Sequence, residues 1–246
     1  MRVEAEDQAV ILAGGLGTRM LPRTERMPKI LLPVAGRPFA AWLLERLAAA
    51  GFGEVLLAIG HLGDEVRRAL GDGDAFGLRI RYAEDGERLL GTAGALRRAV
   101  GELQPTFLVT YGDSYLPFDY QAPLRDLRAH PEAMGTMAVF RNDDRFDRSN
   151  TAVEGARVLR YEKRAREAPR DPELSYIDYG ATALRREVIA SLPAGEVHDL
   201  SAVQRALAAA GHLRALTAER RFFEIGSAQG LADLEAELKS PGVPTS

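Results

Sequence analysis

The residues with the most evident chemistry lie in Leu12-Ala13-Gly14-Gly15-Leu16-Gly17-Thr18-Arg19, with Pro28-Lys29 following so that Lys29 falls ten residues after Arg19. Glycines at 14, 15 and 17 let the backbone bend tightly and approach an anion with no Cβ in the way. Arg19 offers a planar fork to phosphate oxygens, and Lys29 a mobile point charge. Backbone N–H groups gathered with two cations suit a polyphosphate.

The commoner glycine loops do not fit. A dinucleotide fingerprint counted from Gly15 and Gly17 needs glycine where Met20 stands. The second strand runs into Gly60-His61 with no acid placed to hold a ribose. No Gly-Lys pair occurs, which excludes a P-loop. There is no His-Glu-x-x-His, and Ser227 lacks the spacing of a nucleophile elbow.

The longer run from Gly14 to Val34 resembles the signature of the sugar-1-phosphate nucleotidyltransferases. That pattern is G-G-x-G-T-R-[LM]-x-P-x-T-x-x-x-P-K-x-x-x-P-V, and each of its fixed positions is matched here, Pro22, Thr24, Pro28, Lys29, Pro33 and Val34 included. The resemblance implies attack of a sugar 1-phosphate oxygen on the α-phosphate of an NTP, giving NDP-sugar and pyrophosphate. Arg19 would hold the leaving pyrophosphate and Lys29 would neutralise the α-phosphate. The nucleophile is already ionised near neutral pH, so positioning and charge would supply the rate.

Two anions must meet in that reaction, which calls for a divalent cation, and Mg²⁺ prefers one or two carboxylates plus substrate oxygens. Tyr111-Gly112-Asp113-Ser114 is similar to the family's G-D motif, whose aspartate binds the metal. Phe222-Phe223-Glu224-Ile225-Gly226 is similar to its late [FW]-x-D-[IV]-G motif, with Glu224 in place of aspartate. Leu90-Gly91-Thr92-Ala93-Gly94-Ala95 resembles the L-G-T-[AG]-G-A segment that contacts the base, and Thr92 also reads as a helix N-cap. Tyr161-Glu162-Lys163 resembles F-x-E-K, implying Glu162 on sugar hydroxyls and Lys163 on the sugar phosphate. Tyr176-Ile177-Asp178-Tyr179-Gly180 resembles Y-x-N-x-G, with Asp178 in place of asparagine and Gly180 allowing close approach to the ring. Gly112-Asp113-Ser114-Tyr115 favours the mannose and heptose 1-phosphate guanylyltransferases. Uridylyltransferases for glucose or N-acetylmuramate 1-phosphate, and a non-catalytic nucleotide-sugar-binding subunit, are the rival readings.

Strands and helices must place these groups. Residues 9–13 and 54–59 are short apolar runs suited to buried parallel strands. Residues 40–47 carry helical apolar spacing, with Trp42 on the core face and Gly51 as C-cap. Helices over 64–70 and 92–103 and strands over 78–82 and 106–110 complete a βαβαβ rhythm, and Asp64 reads as a cap. The fold expected is α/β, a Rossmann-like doubly wound mixed sheet with a small sugar-binding lobe. Ligands would bind at the strand C-termini. Strands over 136–140, 157–162 and 178–184 and helices over 199–210 and 228–238 follow, with a charged, mobile loop over 164–174. The reading is one nucleotidyltransferase domain, its nucleotide-binding half covering about 1–135 and its sugar-binding part about 136–240.

The 246 residues are 46% hydrophobic and 27% charged, close to the globular average. A formal net charge of -3 argues against a nucleic-acid surface. With no cysteine, disulfides and thiolate chemistry are out, and the four histidines lack metal-ligand spacing. The polar start is no signal peptide, no apolar run reaches ~18 residues, and the chain ends too soon for a C-terminal β-helix. These features point to a cytoplasmic enzyme whose partners are its two substrates and Mg²⁺. Self-association into a homo-oligomer stays open.

Overall fold

The computed structural model describes residues 7–15, 17, 20, 22–86, 88–165 and 167–239. The elements run β1 (Gln8–Leu12), β2 (Pro33–Val34), β3 (Arg37–Pro38), α1 (Phe39–Ala49), β4 (Glu54–Ile59), α2 (Gly63–Leu70) and β5 (Arg79–Glu84). Next come α3 (Gly91–Arg98), β6 (Thr106–Tyr111), β7 (Ser114–Tyr115), α4 (Ala122–Ala129), β8 (Gly135–Arg141), β9 (Thr151–Glu154) and β10 (Arg157–Tyr161). The last are β11 (Tyr176–Arg185), α5 (Arg186–Ala190), α6 (Leu200–Ala209), β12 (Leu213–Ala218), β13 (Phe223–Glu224) and α7 (Ala228–Leu238). Two compact units interleave along the chain. The first takes in Met1–Gly86, Tyr111–Pro117 and Phe222–Ser246, and the second Glu87–Thr110 and Phe118–Arg221.

In the first unit β1, β4 and β5 lie parallel in the order β5-β4-β1. Every residue of the middle strand β4 is buried, as its apolar run requires. Its buried Glu54 accepts from Gln8 Nε2 at 2.5 Å and pairs with Arg79 Nη2 at 2.8 Å, so the carboxylate is neutralised where it lies. Helix α1 buries Phe39, Leu43, Leu44 and Leu47 completely. Trp42 is core as expected, and its Nε1 donates to the Val34 carbonyl at 3.0 Å. Gly51, past the end of α1, takes φ +86°. Asp64 is not the cap of α2. Leu62 holds that position in the left-handed region, and Asp64 lies in the first turn, where its charge still suits the helix dipole. Ser227 caps α7, accepting from Gly230 N–H at 3.0 Å.

In the second unit the strand order is β6-β11-β8-β12-β10-β9. Strand β11 is antiparallel to β6 and β8, β12 is parallel to β8, and β10 is antiparallel to β12 and β9. The mixed sheet expected from the sequence is therefore present. Met137, Val139, Val158, Tyr161, Leu213 and Ala215 form a core beside α6. Strands β9 and β12 and helix α4 go beyond the sequence reading. Asp126 of α4 secures that helix: it accepts from Arg214 Nε at 2.7 Å and Nη2 at 3.1 Å, and from Thr136 Oγ1 at 2.8 Å. Burial pushes the Asp126 carboxyl up, but the bonds from Arg214 and Thr136 outweigh it and hold the group below its ordinary value. Among the described residues no helix is long and apolar enough to cross a membrane.

Candidate active site

The glycine loop starts where β1 ends. Ala13 N–H donates to the Ala58 carbonyl at 2.8 Å, and Gly112 N–H to the Leu12 carbonyl at 2.9 Å, so the loop is tied to β4 and to the Gly112-Asp113 turn. Gly112 is tightly enclosed: a Cβ would meet the Leu12 carbonyl oxygen at 3.1 Å and Ala13 Cβ at 3.2 Å. At Gly14 the space a Cβ would need is filled by Asp85 Oδ2, while Gly15 is exposed with nothing near it. Gly17 takes φ +64°, and its carbonyl accepts from Thr24 Oγ1 and Met20 N–H, both at 2.9 Å. Thr24 is thus the buried post that closes the loop. Leu16, Thr18 and Arg19 lie outside the described residues.

Lys29 begins a short 3₁₀ turn entered from Pro28, whose carbonyl accepts from Leu31 N–H at 2.9 Å. Its Nζ lies 2.5 Å from Asp113 Oδ2, with the lysine side chain 15% exposed and the aspartate 29%. Ser114 Oγ donates to the other Asp113 oxygen at 3.3 Å. Strand β13 pairs antiparallel with β7 so that Glu224 stands opposite Ser114, and Ile225 N–H donates to the Asp113 carbonyl at 2.9 Å. The carbonyl oxygen of Glu224 fills the space of a Cβ on Gly230, which fixes that turn against α7. Lys29, Asp113 and the Glu224 strand are thereby brought together within the first unit. The oxygen donors of Asp113 and Glu224 suit a hard divalent ion. Among the described residues no group of three or more potential ligands occurs, so substrate oxygens would complete a coordination shell.

The remaining candidates are in the second unit. Gly91 takes φ +75°, and a Cβ there would meet the His198 carbonyl oxygen at 2.7 Å. That carbonyl accepts from Ala93 and Gly94 N–H at 2.9 and 3.0 Å, so the small residues of this segment serve close packing of residues 196–199. Thr92 does not cap its own helix, whose N-cap is Leu90. Its hydroxyl instead accepts from Leu200 N–H at 2.7 Å, capping the start of α6.

Glu162 accepts from Arg160 Nε at 2.8 Å, and Arg160 also reaches Asp171 at 2.7 Å and Glu173 at 2.9 Å. The Arg160 guanidinium holds Glu162 below the usual carboxylate range. The loop expected to move is thus joined to β10, whose end Glu162 follows. Lys163 is exposed and lies 3.4 Å from Asp199. Asp178 and Gly180 share a bulge in β11, where the register against β8 shifts between Asp178 and Thr182. Gly180 takes φ +95°, its N–H donates to Asp178 Oδ1 at 2.9 Å, and its carbonyl accepts from Thr110 Oγ1 at 2.8 Å.

Sequence reasoning missed Asp85, Arg160 and Gln204, and gave Thr24 no role. Thr24 was visible as a fixed position of the motif. Nothing local marks Asp85 or Gln204, which meet Gly14 and Thr182 far away in the chain, and Arg160 has no distinguishing spacing although Glu162 stands only two positions from it.

A family model described as "Nucleotidyl transferase" matches residues 8–237. The N-acetylmuramate alpha-1-phosphate uridylyltransferase of Neisseria meningitidis is 42% identical over 127 residues, 51% of this chain and 54% of that protein. The mannose-1-phosphate guanylyltransferase of Mycobacterium tuberculosis is 34% identical over 188 residues, 76% of this chain and 51% of that protein. The chain spans about half the length of these curated relatives. A crystal structure described as a putative glucose-1-phosphate thymidylyltransferase from Bacillus anthracis superposes with TM-score 0.83 at 20% identity, covering 96% of this chain and 97% of that one. HddC from Yersinia pseudotuberculosis gives 0.79 at 21% identity, covering 95% and 100%. The two structures share its mixed α/β fold. With the family model covering nearly all of the described residues and the glycine loop, Lys29 and Asp113 assembled in one unit, the chain belongs to the nucleotidyl transferase family.

Proposed function

We propose that the protein transfers a nucleotidyl group from an NTP to a sugar 1-phosphate, releasing pyrophosphate, with GTP and a mannose- or heptose-type phosphate as its substrates. The observation that carries this reading is the Lys29–Asp113 pair at 2.5 Å, at a turn hydrogen-bonded to the glycine loop. A cation and a carboxylate placed beside backbone bent for an anion are the parts that in-line phosphoryl chemistry needs.

In this reading Leu12, Ala13, Gly14, Gly15, Gly17, Thr18 and Gly112 line the nucleotide, with Gly91 and Thr92 toward the base. The triphosphate draws Lys29 from Asp113, so one cation moves from a protein anion to the α-phosphate. Arg19 holds the departing pyrophosphate. Asp113 and Glu224 would hold Mg²⁺, which when bound supplies neutralisation of the phosphate charge. Glu162 and Asp178 take the sugar and Lys163 its phosphate.

The 42% identity to a uridylyltransferase favours a second reading, UTP with N-acetylmuramate 1-phosphate. Pyrophosphate release with five NTPs against a panel of sugar 1-phosphates separates the two. The expected result is one productive pair, abolished by EDTA. Silence across the panel, with a nucleotide-sugar still raising the melting temperature, would sink the catalytic reading in favour of a binding subunit.

A further inference from the structure

The sheet of the second unit returns on itself. Its strands run in the order β11-β8-β12-β10-β9, and β9 pairs again with β11 through Thr151 opposite Tyr176. Thr151 also stands opposite Tyr161 of β10 and is fully buried. Asn150, the residue before it, sits at this closure. Its N–H donates to the Tyr176 carbonyl at 2.9 Å, and its carbonyl accepts from Glu162 N–H at 2.8 Å. Its Oδ1 accepts from Asp178 N–H at 2.9 Å and from Thr151 Oγ1 at 2.8 Å. A main-chain N–H can only donate, so it is the amide oxygen that faces Asp178.

Both chain segments held in this way leave the regular ladder. Asp178 stands where the register of β11 against β8 shifts, and a bulge takes residues out of ordinary pairing. The Asn150 amide gives that N–H an acceptor from 28 positions away in the chain. Glu162 follows the last residue of β10, with its main chain held by the Asn150 carbonyl and its carboxylate by Arg160 Nε at 2.8 Å. One residue therefore ties the backbone of Glu162 to the backbone of Asp178.

We propose that Asn150 is a positioning residue for the sugar 1-phosphate, setting the spacing between Glu162 and Asp178 without touching the substrate itself. The inference rests on the sugar-binding reading above. The gap between two side chains that grip one ring must be fixed before the ligand arrives, because a shift of an ångström loosens both contacts. Asn150 fixes it by hydrogen bonds alone.

The test is Asn150→Ala, which keeps both main-chain bonds and removes the acceptor for Asp178 N–H. Amide hydrogen exchange at Asp178 is expected to quicken by about tenfold or more, while Thr182, laddered to β6 and β8, keeps its protection. Sugar 1-phosphate KM is expected to rise about tenfold, the scale of one lost hydrogen bond. NTP KM and kcat at saturating sugar stay within about twofold, since only uniform binding of the sugar is lost. Asn150→Ser, whose hydroxyl lies one bond nearer the chain than the amide oxygen, gives the same comparison where alanine does not fold. Unchanged exchange at Asp178, an unchanged sugar KM, or a loss spread equally over both KM values and kcat overturns the proposal. Glu162→Ala in the wild-type background identifies the other failure. A sugar KM that ignores Glu162→Ala, or no turnover of any sugar 1-phosphate, brings down the sugar reading and the positioning role with it. The faster exchange at Asp178 would then remain as a purely structural effect.

Discussion

Lys29 serves one anion in the ligand-free protein and another in the proposed complex. Its 2.5 Å contact with Asp113 is a short charge-assisted bond in a half-buried setting, strong enough to hold both side chains in place. Lys29→Ala is expected to lower kcat by at least ~10²-fold, the scale of removing one transition-state charge partner. Its circular dichroism spectrum should match wild type, because the site is at the rim. The same loss is expected for Arg19→Ala on sequence grounds. Near-wild-type turnover in both would sink the mechanism. At this scale the sequence was most legible where a motif fixed residue type and spacing together: Lys29 and Asp113 were identified 84 positions apart and do meet. It was least legible for Asp85, whose approach to Gly14 is tertiary, and for the reach of Arg160 to Asp171 and Glu173 across the following loop.

Single elements depend on polar ties that no periodicity reveals. Asp126 binds α4 to β12 and β8 through Arg214 and Thr136. Its folded carboxyl lies below the unfolded value of about 3.9, so its stabilisation is present above that pH and lost as pH falls through the folded value. Asp126→Asn is expected to cost about 1.5–3 kcal/mol at pH 7, the range for hydrogen bonds to a charged group. Urea unfolding at pH 7 and pH 3 checks this, and the gap between variant and wild type should narrow in acid.

Apolar runs gave β1, β4 and β6 almost to the residue, and α7 at its stated ends. The Thr151–Glu154 and Leu213–Ala218 strands escaped because one is four residues long and the other, Leu-Arg-Ala-Leu-Thr-Ala, suits a helix as readily. Thr92 was misread as the cap of its own helix because a hydroxyl in the first turn of one helix can serve the start of another.

The whole molecule is not two consecutive halves. The first unit takes chain from three places, so residues 1–86 alone lack the buried Tyr115, Phe223, Ile225 and Leu234. An isolated 1–86 fragment is expected to be unfolded, with collapsed amide dispersion in its proton–nitrogen spectrum. A folded fragment would contradict the assignment of those core residues.

The Lys29–Asp113 pair also bears on how the protein can be handled. Because the aspartate has a counter-ion in the polypeptide itself, electroneutrality at the loop does not wait for a metal. Extended dialysis against EDTA should therefore leave Tm within about 2 °C, under 1 kcal/mol for a chain of this size. A stripped and reloadable preparation makes the identity of the divalent ion an experimental variable, open to manganese or cobalt as spectroscopic reporters.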